Sequence, residues 1–241
     1  MKSLALLGAL AIVACSLVLI TTRSTGAHTP GSPLLHDLDH YLADRAAEAS
    51  QIPSERRIML DALADHIRET RAADKPVRLN FVCTHNSRRS HMSQLFMAAA
   101  AIRHGMDWGR EIECYSGGTE STAFNPRAVR ALRDAGFEIH QTTNTSNPIY
   151  HVKLGENMPM LTNFSKKYDT APNPKESFVA VMVCGEADES CPNVVGADAR
   201  FAITYNDPKA FDDTPREAEA YAERARQIAR EFEYVAARAT R

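Results

Sequence analysis

Residues 77–90 constrain the fold of this 241-residue chain more than any other stretch. An apolar run, Val77-Arg-Leu-Asn-Phe-Val82, meets the segment Cys83-Thr-His-Asn-Ser-Arg-Arg89-Ser90, and an alanine-rich stretch follows. The run predicts a mostly buried strand and Ser90–Ala101 predicts a helix, so the loop between them ends at a helix N-terminus. Unpaired backbone N–H groups of such a loop and of the first helical turn converge on one point, where the helix dipole adds positive potential. A tetrahedral oxyanion fits there. Arg89, arriving from the first turn, can give it two parallel charge-assisted hydrogen bonds. The same field favours the thiolate of Cys83 as a nucleophile, with Ser90 placed to donate to the sulfur. The bare Cys-x5-Arg spacing is common; the strand before it and the helix after it give it meaning.

Alternation of strand and helix continues downstream. Glu111–Ser116 predicts a second strand, and Asn125-Pro126 caps a helix running through Val129 and Leu132 to a stop at Gly136. Phe178–Val183 predicts a fully apolar strand and Phe201–Tyr205 a short final one. Thr214-Pro215 opens a C-terminal helix carrying Ile228, Phe232 and Val235. This pattern predicts an α/β fold, a small parallel sheet with helices on both faces. Ligands of such sheets sit at the strand C-terminal ends, where Cys83 lies. Residues 142–177 are polar, carry Pro148, Pro159, Pro172 and Pro174, and show no lasting period, which predicts a long surface insertion. Residues 34–74 predict two helices parted near Ile52-Pro53-Ser54, which pad the core or contact a partner.

With 44% hydrophobic side chains the chain can build one core plus an extension. A net charge of -2 without a basic stripe gives no support for nucleic acid as a partner. Cys15, Cys83, Cys114, Cys184 and Cys191 form no zinc-like double pair, so neither a disulfide framework nor a metal site is indicated. Leu4–Ile20 carries no charge and predicts an export or membrane segment. Three forms are open: a signal peptide cut after Ala27, an uncleaved anchor that holds the protein to a membrane through residues 1–20, or a lipoprotein box at Ile12-Val-Ala-Cys15. The protein is thus expected at a bacterial inner membrane or in the periplasm. Lys2 on one flank and Arg23 on the other leave its side open. The resulting organisation is residues 1–27 as signal or anchor, 28–76 as linker and helical extension, and 77–241 as the main domain.

A second constellation follows the apolar strand at 178–183. Cys184 ends that strand as Cys83 ends another, and Cys191 comes seven residues later. If the strands are parallel, these thiols share one rim. Seven residues of helix advance about 10.5 Å, whereas a disulfide needs Cα atoms roughly 4.4 to 6.8 Å apart, so a bridge between Cys184 and Cys191 requires a loop or an unwound helix. Gly185 supplies backbone freedom for that. A third element is Asp207-Pro208, where an Asp fixed at the rim can serve as general acid toward a leaving oxygen.

The loop at 83–90 with Asp207-Pro208 resembles the low-molecular-weight protein tyrosine phosphatase family, and Cys184-x6-Cys191-Pro192 resembles its thioredoxin-coupled arsenate reductase branch. The likeness extends over Tyr115–Glu120, Asn125–Val129 and Ala135–Ile139. Where the family usually has Gly this chain has His85, and where it often has Cys this chain has Arg88. The resemblance implies that Thr84, His85, Asn86, Ser87, Arg88 and Ser90 line the substrate oxyanion together with Arg89. It implies that Cys83 attacks arsenate, that Cys184 attacks Cys83 to release arsenite, and that Cys191 resolves the result into a Cys184–Cys191 disulfide. A thioredoxin-like reductant would reopen that disulfide. No cofactor is needed, because two thiols supply the two electrons. A phosphatase acting on phosphotyrosine or a small phosphate ester would use only Cys83, Arg89 and Asp207. A non-catalytic oxyanion-binding protein is the third possibility.

Overall fold

The central strand β1 (Val77–Cys83) is buried along almost its whole length, as a strand covered on both faces must be. It pairs in parallel with β2 (Ile112–Gly118) and with β6 (Phe178–Met182), and β6 pairs in parallel with β7 (Ala197–Ala202), giving the order β2-β1-β6-β7. The computed structural model describes residues 31–191 and 193–241. The expected signal, anchor or lipoprotein segment, most of the expected linker, and Pro192 lie outside the described residues. Among those described, no helix is long and apolar enough to cross a membrane.

Helices flank the sheet as the alternation predicts. α3 (Arg89–Arg103) packs on β1 and β2, and α6 (Glu217–Ala239) packs on α3 with Phe232 edge-on to Phe81 at 5.2 Å. α4 (Pro126–Asp134) starts on the Asn125 cap, whose side chain accepts from the Arg127 N–H at 2.9 Å. The C-terminal helix begins at Glu217 rather than at Thr214, because Thr214 closes a turn onto the Phe211 carbonyl. The last strand also lies earlier than its apolar residues suggest. Ala197–Ala202 pairs across an irregularity at Phe178/Val179, and its mixed small and polar residues are tolerated at an edge position.

The N-terminal extension is welded to this body. α1 (His36–Ala47) and α2 (Ser54–Ala72) bury Leu38, Leu42, Leu60, Leu63 and Ile67 in the same core as Phe81 and Phe232. Buried carboxylates complete the join. Arg103 of α3 bonds both Asp39 and Glu233 at 3.2 Å, His104 bonds Glu233, and Arg56 of α2 forks onto Glu231. Paired in this way, buried charges avoid the penalty of burial without a partner.

The segment 142–177 differs from the surface loop its composition predicts. β3 (Glu138–Gln141), β4 (Tyr150–Lys153) and β5 (Leu161–Asn163) form a small antiparallel sheet. The residues after it, Ser165, Lys166 and Asn173, are buried, the first two against the loop that follows β1 and Asn173 against β2. Ser165 goes inside because its hydroxyl donates to the His85 carbonyl, and Asn173 because its Nδ2 donates to the Ser116 and Tyr168 carbonyls, an arrangement no hydrophobic periodicity reports.

Candidate active site

The turn from β1 into α3 orients its peptide groups one way. The carbonyls face outward and are tied down: Cys83 O accepts from the Thr119 N–H, Thr84 O from Glu120, and Ser87 O from Asn125. His85 O accepts from the hydroxyls of Thr122 and Ser165. No backbone N–H from Thr84 to Arg88 donates to a protein acceptor among the described residues. A nest of free N–H donors of this kind beside a helix N-terminus is able to hold a tetrahedral oxyanion. Gly118 allows the close approach, since a Cβ there would stand 2.7 Å from Thr84 O and 2.8 Å from Asn86 N.

Asn86 is the internal brace. It sits at φ +44°, which Asn tolerates better than most residues, and is fully buried. Its Nδ2 donates to Ser90 Oγ at 2.9 Å, and its Oδ1 accepts from the Lys166 N–H at 2.8 Å. Ser90 Oγ then lies 3.1 Å from Cys83 Sγ. Ser90 therefore meets the sulfur as expected, with its own orientation set by Asn86.

Arg89 is 8% exposed and spans the rim. Its Nη1 donates to the Tyr205 carbonyl at 3.0 Å and its Nη2 to Asp207 Oδ2 at 2.7 Å. Nε is buried without a protein partner. A guanidinium has five N–H donors, so three remain beyond these two bonds. Asp207 caps the following turn by accepting from the Lys209 N–H at 3.0 Å, which fixes its carboxylate beside Arg89. Arg88 faces neither the nest nor open solvent. Its Nε donates to Tyr221 Oη at 2.7 Å and its Nη2 to Asp212 at 3.0 Å, tying the loop to the turn that carries Asp207. His85 is half-exposed, 3.8 Å from Glu120. His85, Arg89, Glu186, Tyr205, Asp207 and Lys209 border an open cleft of about 550 Å³.

Strand order brings Cys83 and Cys184 to one rim of the sheet. Val82 aligns with Met182, so Cys83 and Cys184 leave adjacent parallel strands at neighbouring levels. Thr84 Oγ1 stands 3.4 Å from Cys184 Sγ and donates to Glu186 at 3.0 Å. Cys184 caps the short helix α5 (Gly185–Ser190), its sulfur accepting from the Ala187 N–H, and Cys191 lies at the other end. Both thiols are free, Cys184 buried and Cys191 partly exposed. Arg200 of β7 holds the far end of α5 through the carbonyls of Asp188 at 2.7 Å and Cys191 at 3.2 Å, and through the Asp188 carboxylate. Cys114 stands apart: burial pushes its thiol well up, which makes it a poor nucleophile.

Sequence reasoning missed the supporting network of Asn163, Ser165 and Lys166, and the pair Tyr221 and Asp212 behind Arg88. His91 was missed too. It is buried, stacked on Phe124 at 3.9 Å and in contact with Ser116 and Asn163. Burial, then the charge of Lys166, hold its pKa well below the ordinary value. The unfolded imidazole binds a proton below about pH 6.5 while the folded one does not, so stability present above that pH is lost as pH falls toward the folded pKa. His91→Gln should flatten the slope of unfolding free energy between pH 6.5 and 5, about 1.4 kcal/mol per pH unit for one proton, when urea denaturation is followed across that range.

Residues 78–154 match the family model for low molecular weight phosphotyrosine protein phosphatase. An arsenate reductase of Bacillus licheniformis is 29% identical over 148 residues, covering 61% of this chain and 84% of that protein. Arsenate reductase 2 of Staphylococcus epidermidis is 29% identical over 133 residues, 53% of this chain and 76% of its own length. A solved low molecular weight phosphotyrosine phosphatase from Vibrio cholerae aligns with a TM-score of 0.44 at 14% identity, covering 66% of this chain and 93% of that one.

Proposed function

We propose that this chain, a member of the low molecular weight phosphotyrosine protein phosphatase family with its arsenate reductase branch, reduces arsenate to arsenite through Cys83, Cys184 and Cys191. It is an enzyme of the arsenate reductase or phosphatase type. The observation that favours reduction is the placement of Cys184 beside the Cys83 loop, within 3.4 Å of Thr84 Oγ1, with Cys191 one short helix away. A phosphatase has no use for that pair.

In this reading the nest and Arg89 hold arsenate over Cys83. The Cys83 thiolate forms a sulfur–arsenic bond and water leaves, its oxygen drawn from arsenate. The Cys184 thiolate then attacks Cys83 Sγ. A disulfide forms, the sulfur–arsenic bond breaks, and its electron pair stays on arsenic, which departs as arsenite reduced by two electrons. Cys191 next attacks Cys184 Sγ, expelling the Cys83 thiolate and leaving a Cys184–Cys191 disulfide. An external thioredoxin-like dithiol returns two electrons.

The last intramolecular step needs movement. While α5 is helical its ends stand too far apart for a disulfide. Gly185 at its start has open space around it, and the Arg200 contacts at the far end are those that must release. The dithiol partner also has a topological consequence: if residues 1–20 anchor the chain, they must leave Cys83 on the side where that reductant is found.

The test is arsenite release by the full chain with thioredoxin, thioredoxin reductase and NADPH. Multiple turnovers are expected; their absence, with p-nitrophenyl phosphate hydrolysis intact, would favour the phosphatase. That second reading has its own support in Asp207, fixed against Arg89 at the rim.

A further inference from the structure

A pocket of about 250 Å³ shares no lining residue with the Arg89 cleft. Its walls include Trp108, Tyr115, Met160, Leu161 and Pro172, and Lys166 lines it. The Lys166 side chain belongs to a residue only 4% exposed. Among the described residues no carboxylate or hydrogen-bond acceptor meets its Nζ. Its neighbour is the ring of Phe164, 4.9 Å from ammonium to centroid. Burial lowers its pKa to about 8, so it stays mostly protonated at neutral pH. Asn173 Oδ1, on another wall, is also buried without a partner.

A buried ammonium without a counter-ion is costly, and the charge is normally matched by a carboxylate or another anion. Every other strongly buried charge among the described residues has such a match: Asp39 and Glu233 with Arg103, Glu231 with Arg56, Glu48 with Arg45, and Arg89 with Asp207. From this contrast we propose that the pocket is a binding site for a small organic monocarboxylate, its carboxylate on Lys166 Nζ and its apolar body between Trp108, Met160 and Pro172.

The lining sets the class of ligand. The lining carries one cationic residue, Lys166, and one acidic residue, Glu113, which disfavours dianions such as phosphate esters. Apolar walls favour a carbon body over a hydrated inorganic ion. The volume falls below the roughly 300 to 1,000 Å³ of drug-sized sites, which limits the ligand to fragment size. The site is wired to the sulfur without overlapping it: the Lys166 N–H bonds Asn86, which bonds Ser90, which meets Cys83.

Benzoate is a suitable probe, used with the full chain. Titration calorimetry should detect benzoate binding, and the Lys166→Met protein should lose affinity by about tenfold or more, as expected when a charge-assisted contact is removed. In the wild type, benzoate should slow acetylation of Lys166 by dilute acetic anhydride, read by peptide mass spectrometry, while exposed Lys209 is acetylated at an unchanged rate. Arsenate should leave both the Lys166 acetylation rate and benzoate affinity unchanged. Benzoate that binds Lys166→Met as tightly as wild type, competes with arsenate, or fails to protect Lys166 would overturn the assignment. The protection experiment decides the matter even if Lys166→Met folds poorly.

Discussion

Cys184→Ser protein should release no arsenite in thioredoxin-coupled turnover, yet hydrolyse p-nitrophenyl phosphate within about twofold of wild type. The substitution is gentle on the fold. Cys184 caps α5 through its sulfur, and serine is among the preferred capping residues, so the Ala187 N–H keeps an acceptor. It leaves Cys83, Arg89 and Asp207 intact, which are all a phosphatase needs. What it removes is the thiol that, in the proposed relay, breaks the sulfur–arsenic bond. Equal loss of both activities would mean that Cys184 supports the loop structurally, and unchanged arsenite release would remove it from the reaction.

Arg89→Lys should lower kcat/KM by about 10²- to 10³-fold for arsenate and for p-nitrophenyl phosphate alike. The guanidinium is held as a planar fork, one nitrogen on the Tyr205 carbonyl and one on Asp207, with Nε turned to no protein partner. Lysine offers one compact charge that cannot bond Tyr205, Asp207 and two substrate oxygens together. Steady-state kinetics with both substrates check this, and a fall of less than about threefold would show that the backbone nest alone binds the anion.

The parts of the site carried by regular elements were legible in the sequence. Apolar runs ending in Cys83 and Cys184 gave two parallel strands with their thiols on one rim, whereas the short helix that separates Cys184 from Cys191 was not read from the sequence. Asp207 was found because proline fixes the residue before it. Arg88 was harder, because its side-chain direction depends on Tyr221 and Asp212, more than a hundred residues away in the chain. The support from Ser165 and Lys166 was invisible for a related reason. Residues 142–177 have neither helical nor strand period, and their order comes from polar groups that meet Asn86 and the His85 carbonyl only after the chain has folded. Composition reports burial of carbon, not pairing of hydrogen bonds.

The most direct measurement is the disulfide state after a single encounter with arsenate. Fully reduced protein, given arsenate without any reductant, is quenched in acid, alkylated and mapped by peptide mass spectrometry while arsenite is counted. The three-thiol relay predicts one arsenite per chain, a Cys184–Cys191 disulfide, and Cys83 and Cys114 both recovered as alkylated thiols. Arsenite release with Cys184 and Cys191 still alkylated as free thiols would contradict it.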